Sequence, residues 1–382
     1  MKIMHVITGL HGGGAEGVLF RLCTFDRQHV HTVVSLTEGG IYAARLRKSK
    51  IPVIELHMQK NPWILQETGK LYSIIKHERP DLIQTWMYHA DLLGGITGWL
   101  SRTPVIWGIR HSTLIQKFRN PTWWIARTCA ALSKKIPTRI IACAHKAKEI
   151  HAAMGYDAQR MVVIPNGYDM TALVPDRSAR EKLRNAWGIS DSSFLMGMVA
   201  RLHPQKNHVG LLDALEILNQ RQIPFSCALV GRGMQLDHPF WEEVRRRHLS
   251  DAVIPCGERS DIVDVMNALD LHVLSSSLGE GFPNVVAEAM ACQIPCVVTD
   301  VGDASWIVGD TGWVVPPGNA QALADAIQYA IEEKHQNPQQ WETRKIRARE
   351  RILENFSLEI MVQQFRQVWA EVIRETQRVS RH

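Results

Sequence analysis

Short apolar runs rich in β-branched residues recur along this chain, each followed by a helix-length segment, and they form two series. The first comprises Lys2–Thr8, Thr32–Leu36, Pro52–Leu56, Leu82–Trp86, Pro104–Trp107, Arg139–Ala142 and Val162–Ile164. The second comprises Phe194–Ala200, Phe225–Val230, Ala252–Cys256, Leu271–Leu274, Pro295–Val298 and Gly312–Val315. Strands alternating with helices argue for parallel sheets covered by helices on both faces. A chain of 382 residues exceeds one ordinary core, so two doubly wound α/β domains are expected. The expected bounds are 1–168, a linker over 169–192, a second domain over 193–356, and a final helix over 357–382. From Ala320 onward there is no strand signal. The last segment places Ile360, Met361, Gln364, Phe365, Val368, Trp369 and Val372 at helical spacing, with Ser357 suited to cap it.

Composition narrows the function classes. A net charge of +6 suits anionic small molecules or an anionic membrane surface, and falls short of a nucleic-acid footprint. The seven cysteines form no Cys-x-x-Cys pair and most lie in apolar runs, as buried thiols of a reducing cytoplasm do. MKIMHVIT runs into a strand without a signal-peptide layout. The longest apolar stretch, near Ala90–Leu100, contains three glycines and is far short of the ~20 residues of a membrane span. The expected location is cytoplasmic.

The most informative stretch is Ser275–Asp303, SSSLGEGFPNVVAEAMACQIPCVVTDVGD, which reads as strand, loop, helix, strand. Pro283 suits the first helical turn, where its missing N–H costs nothing. The amides of Gly281, Phe282, Pro283, Asn284 and Val285 (proline lacking one) would then frame an anion site at the helix start. Glu280 in the loop and Glu288 in the helix supply acceptors for hydroxyls of a sugar or ribose. The wording EGFPNVVAE resembles the glutamate-x7-glutamate signature of the retaining, nucleotide-sugar-dependent glycosyltransferases of family 4, of the polysaccharide-biosynthesis type. The resemblance implies two Rossmann-like domains in the GT-B arrangement, with the active site in the cleft between them.

On this resemblance the remaining motifs take roles. Arg201 and Lys206, in ARLHPQKN after the strand ending at Ala200, match the family's pair that holds the donor diphosphate; the plain alternative is a solvated loop. Gly231, in VGRG, and Arg259, in GERSD, follow the next two strands, where relatives approach the nucleotide, although any strand-to-helix turn uses glycine. His111, in WGIRHS, matches a histidine that relatives direct at the donor sugar, and His89 is an acceptor-side candidate. Gly13, Gly14 and Glu16 lie in a glycine loop that in relatives faces the donor phosphates and the acceptor. That loop also fits G-x-G-x-x-G over Gly12–Gly17, with Glu38 about twenty residues on, as a dinucleotide fingerprint requires. Glu16 counts against this, since it puts negative charge where a pyrophosphate would sit.

Lys117–Lys135 brackets Trp123 and Trp124 with basic residues, a pattern shared by a lipid-surface contact and by an ordinary helix with tryptophan in its core. Trp63 and Trp99 are expected in the core. No Asp-x-Asp occurs, so no metal is expected, and no cofactor. The function implied is a retaining transfer of a hexose or N-acetylhexosamine from a nucleoside-diphosphate sugar, a UDP-sugar by the habit of relatives, to a saccharide or lipid-linked acceptor in surface polysaccharide synthesis. The alternatives are a nicotinamide-dependent oxidoreductase using Gly12–Gly17 and a GT-B sugar-nucleotide epimerase.

Overall fold

The computed structural model describes residues 1–58, 64–110, 112 and 121–379. The chain divides into two compact units: unit 1, Met1–Gly167 with Leu358–His382, and unit 2, Tyr168–Ser357.

Unit 1 holds β1 (Lys2–Ile7), β2 (Val30–Ser35), β3 (Val53–Glu55), β4 (Leu82–Trp86), β5 (Val105–Ile109), β6 (Arg139–Ala142) and β7 (Met161–Val163). They form one parallel sheet in the order β3-β2-β1-β4-β5-β6-β7. Every residue of β4 and β5 is buried, because helices cover both faces. The helix Tyr88–Ser101 lies tight on the strands through Gly94, Gly95 and Gly98, where a Cβ would collide with Thr85, Trp107 and Val105. Trp99, expected in the core, instead is 60% exposed, because it follows this glycine surface at the last turn of the helix. Trp63 lies outside the described residues.

The final helix, Leu358–Val379, belongs to unit 1 and buries Leu358, Met361, Val362, Phe365, Trp369 and Val372 against Leu19 and Leu22 of the helix Gly14–Phe25. Of the residues expected on this face, Ile360 and Gln364 are only half-buried. A buried polar chain fixes the helix further. Trp86 Nε1 can only donate, and it does so to His5 Nδ1 at 3.2 Å. His5 must therefore carry its proton on Nε2 and give it to His31 Nδ1 at 2.9 Å. His31 Nε2 then donates to Asp26 Oδ2 at 3.2 Å. Asp26 also receives His29 at 2.7 Å and both Nε and Nη2 of Arg366, at 3.0 and 2.7 Å. Burial resists ionisation of Asp26, but the bonds from His31, the Gln28 N–H, Arg366 and His29 outweigh it and hold its pKa well below the usual carboxylate range. Although His5, Cys23 and His31 cluster at metal-ligand spacing, His5 has no lone pair left for an ion in this tautomer.

Unit 2 holds β8 (Leu195–Val199), β9 (Ser226–Val230), β10 (Val253–Gly257), β11 (Leu271–Leu274), β12 (Cys296–Thr299) and β13 (Trp313–Val315). Their order is β10-β9-β8-β11-β12-β13, again all parallel. The stretch 169–192, expected as a linker, is part of this unit. It contains the helix Arg177–Ala186, capped by the Asp176 side chain on the Ser178 and Ala179 amides. The buried Arg184 of that helix donates to the Ala268 and Ser190 carbonyls and to Asp270. A short, very polar helix anchored by two arginines, Arg184 and Arg180, carries little apolar periodicity, so its sequence reads as a connection.

Two histidines of unit 2 are buried. His272 sits in β11 with neither ring nitrogen hydrogen-bonded, and burial, helped by the Lys206 charge, pushes its pKa down to about 3. Burial likewise lowers His208 to about 4. Since both fold neutral, the unfolded chain takes up their protons first. Stability is therefore expected to fall as pH drops from about 6.5 towards 4, by up to about 1.4 kcal/mol per pH unit for each histidine. Urea unfolding of wild type and His272→Leu at several pH values checks this: the variant should show the shallower slope, and an equal slope would exclude His272 as a contributor.

Candidate active site

In open parallel sheets ligands bind outside the carboxyl ends of the strands, where the strand order reverses. In unit 2 that point lies between β8 and β11. The loop after β8 carries Arg201 and Lys206, and the loop after β11 carries Glu280. Lys206 Nζ lies 2.5 Å from Glu280 Oε1, which also receives the Ser276 hydroxyl at 2.6 Å. Glu280 is 7% exposed, so the pair is shielded from screening water. Arg201 is exposed and has no carboxylate partner among the described residues. A cation reserved for an anionic ligand would be found in this state.

Hydrogen bonds to backbone carbonyls lock the two loops together. Ser277 N–H donates to the Gln205 carbonyl at 3.0 Å, and Ser275 Oγ donates to the carbonyls of Lys206 and Asn207 at 3.1 and 3.2 Å. Two polar residues left without roles by the sequence prove to be caps. His203 Nδ1 accepts from Gln205 N–H, and Asn207, in a left-handed conformation, accepts from Gly210 N–H at the start of the helix His208–Gln220. Gly231, at φ +146°, passes against the Ala200 carbonyl so closely that a Cβ would collide with it. Gly302, at φ +61°, does the same with the carbonyls of Glu280 and Gly281, and the neighbouring Asp303 N–H binds the Gly281 carbonyl at 2.9 Å. The loops after β8, β9, β11 and β12 thus form one packed rim.

The helix expected after Glu280 runs Asn284–Ala291, with Pro283 at its N-cap position rather than inside it. Asn284 accepts the Tyr168 hydroxyl at 2.6 Å, and Arg349 caps the far end at the Ala291 carbonyl. Phe282 is buried among Tyr168, Trp306 and Phe356, with ring centroids 5.3–6.3 Å away. This aromatic cluster, which the sequence did not reveal, fixes the loop that presents Gly281 and the helix start with Val285. Glu288 lies one turn further on, half-buried. Arg259 is held by Asp261 through both Nε, at 2.9 Å, and Nη2, at 2.5 Å, so its side chain is already engaged.

In unit 1, Gly13 stands at the N-cap of the helix Gly14–Phe25, and the Glu16 carboxylate folds back over Gly13. The helix start, where a pyrophosphate would sit, is occupied by the chain's own negative charge. Glu38 engages His57. Both facts count against the dinucleotide fingerprint. His89 stands half-buried in the first turn of Tyr88–Ser101, its pKa lowered by burial. Met87, just before it, adopts φ +73° and ψ 158°, a region that costs a non-glycine residue roughly 1–3 kcal/mol and clusters at ligand sites. His111 lies outside the described residues. So does Lys117–Asn120, while Trp123 and Trp124 stand in the helix Pro121–Leu132 with Trp124 56% exposed.

A family model described as Glycosyltransferase Family 4 matches residues 12–172, and one described as Glycosyl transferases group 1 matches residues 179–348. The chain is 26% identical over 270 residues to the UDP-Gal:alpha-D-GlcNAc-diphosphoundecaprenol alpha-1,3-galactosyltransferase of Escherichia coli, covering 69% of this chain and 70% of that protein. It is 21% identical over 328 residues to the capsular polysaccharide biosynthesis glycosyltransferase CapM of Staphylococcus aureus, covering 82% of each. Among solved structures it is similar to Anabaena Alr3699/HepE in complex with UDP, with a TM-score of 0.86, 26% identity, and coverage of 97% of this chain and 100% of that one. The same protein in complex with UDP-glucose gives a TM-score of 0.83 at 25% identity, with the same coverage. The two parallel sheets, the rim around Glu280 and these matches lead to one assignment: the chain belongs to the family-4, group 1 glycosyltransferases, enzymes of the GT-B fold.

Proposed function

We propose that this enzyme transfers a hexose or N-acetylhexosamine from a UDP-sugar to a lipid-linked saccharide in surface polysaccharide synthesis, with retention of configuration and without a metal ion. The observation that carries the reading is the Lys206–Glu280 pair, set beside a helix start at the switch point of unit 2. Cation, carboxylate and a helix start at one rim suit a ligand that is a diphosphate at one end and a polyol at the other. The UDP donor is supported by the HepE complexes and the lipid-linked acceptor by the name of the E. coli relative.

In this reading Glu288 accepts hydrogen bonds from the ribose and Glu280 from hydroxyls of the sugar. Arg201, Lys206 and the amides near Asn284 and Val285 stabilise charge growing on the leaving diphosphate, with Gly231 and Arg259 bordering the nucleotide. The bond from the anomeric carbon to the phosphate oxygen breaks as the acceptor oxygen approaches from the same face. The acceptor's proton passes to the departing phosphate, so no enzyme carboxylate need act as nucleophile. His111 is assigned to the donor sugar, Gly14 to the donor as well, and Gly13, Glu16 and His89 to the acceptor side. Two cations and a helix end stand in for a metal. Trp124, exposed on a helix followed by Lys134 and Lys135, is assigned to peripheral contact with an anionic membrane. No helix among the described residues is long and apolar enough to cross a membrane.

Three outcomes are expected. Lys206→Ala and Glu280→Ala should each lower kcat by ~100- to 1,000-fold, the usual effect of removing one charge-stabilising group, measured as sugar transfer by mass spectrometry; transfer at the wild-type rate would remove both residues from the site. EDTA should leave activity unchanged, and activity abolished by EDTA and restored by Mg²⁺ would refute the metal-free reading. In a thermal-shift titration, UDP-sugars should raise the melting temperature and NAD should not.

A further inference from the structure

Unit 1 contains a buried guanidinium with too few partners. Arg110 immediately follows β5, at the carboxyl edge of the sheet. Its plane lies over the Trp86 ring, 4.3 Å from the centroid, and within 5.8 Å of Phe365. Nη1 donates to Asn166 Oδ1 at 3.3 Å. Nε and Nη2 are shielded from solvent and have no hydrogen-bond partner. These two nitrogens form one side of the guanidinium fork, the edge that binds two oxygens of a phosphate or carboxylate at once. A buried donor without an acceptor is costly, more so when charged, so two adjacent ones call for an explanation.

The protein's own carboxylates do not supply it. Among the described residues none lies within ion-pair distance of Arg110. Asp91 is the acid whose field reaches it, but burial raises the Asp91 pKa to about 7, and its Oδ1 already takes the Thr85 hydroxyl at 2.5 Å and the Gly108 N–H at 3.2 Å. Burial lowers the Arg110 pKa to about 10; Cys143 and Asp91 oppose this, and the second cation, Arg21, adds to it. Arg21 projects from the helix Gly14–Phe25, close to Gly17 and Tyr42. Next to Trp86 stands Met87, with its strained backbone. Two cations, a stacked fork with its binding edge unfilled and a strained turn share one region of the carboxyl edge.

We propose that Arg110, supported by the positive potential of Arg21, forms an anion subsite within unit 1 that takes a phosphate or diphosphate group. Aromatic faces hold the guanidinium plane fixed, and Asn166 orients it through Nη1, which leaves Nε and Nη2 for two phosphate oxygens. Resting on the transferase reading above, two substrates offer this chemistry: the diphosphate of a lipid-linked acceptor and the diphosphate of the donor.

The test uses the full chain and inorganic pyrophosphate. In Arg201→Ala/Lys206→Ala, which lacks the donor-side cations, calorimetry should still detect pyrophosphate binding. Adding Arg110→Gln should weaken it at least 10-fold, and adding Arg110→Lys should weaken it less. Absence of binding in the double variant, or affinity indifferent to Arg110→Gln in a chain that still unfolds cooperatively, would overturn the proposal. Steady-state kinetics of the Arg110→Gln single variant then separate the sources. A raised KM for a diphosphate-linked acceptor, with donor KM unchanged, assigns the anion to the acceptor; a raised donor KM assigns it to the donor. If no nucleotide sugar is a substrate for wild type yet pyrophosphate binding still depends on Arg110, the transferase reading fails and the subsite stands.

Discussion

The side-by-side pairing of β8 with β11 is the constraint on which the site depends. Lys206 and Glu280 are 74 residues apart in sequence and meet only because those two strands are neighbours in the sheet. Their helical connections leave in opposite directions, which makes this the point of the sheet at which ligands bind in open α/β folds. The glycines of this rim follow from the same constraint. Where four strand-to-helix loops converge, backbones approach at van der Waals limits, and Gly231 and Gly302 occupy positions that admit no Cβ.

Much of this was legible in the sequence. Uniformly apolar runs separated by helical segments gave both sheets, since a strand covered on both faces has no polar face to blur its signal. The helix after Pro283 was legible from the proline and the apolar spacing that follows it, and Glu280 and Lys206 stood out because their surroundings match a known family's wording. Residues whose roles come from three-dimensional neighbours were not. Phe282 is one of many phenylalanines until Tyr168, Trp306 and Phe356 surround it, and Asn207 is an unremarkable polar residue until it turns left-handed to cap a helix. Trp99 shows the opposite error, for tryptophan favours the interior on average, yet the glycines beside it had already taken the sheet-facing positions.

The units also differ in how they hold their ends. In unit 2, charge anchors the short helix Arg177–Ala186 through Arg184 and Asp270. In unit 1 the last helix is fixed by apolar burial together with a polar chain of one polarity, since Trp86 cannot accept and Asp26 is held ionised. Every proton position from Trp86 to Asp26 is thereby determined, and Arg366 of the last helix closes the chain.

The Lys206–Glu280 contact sets one cation of the rim against a buried carboxylate. A ligand that takes the ammonium group for its phosphates strands the carboxylate, buried and without its cation. In the proposed reading only a donor that still carries its sugar offers hydroxyls to that carboxylate; a spent nucleoside diphosphate does not. In that reading, closing the ion pair again favours departure of the leaving group, so the same contact would help discard the product.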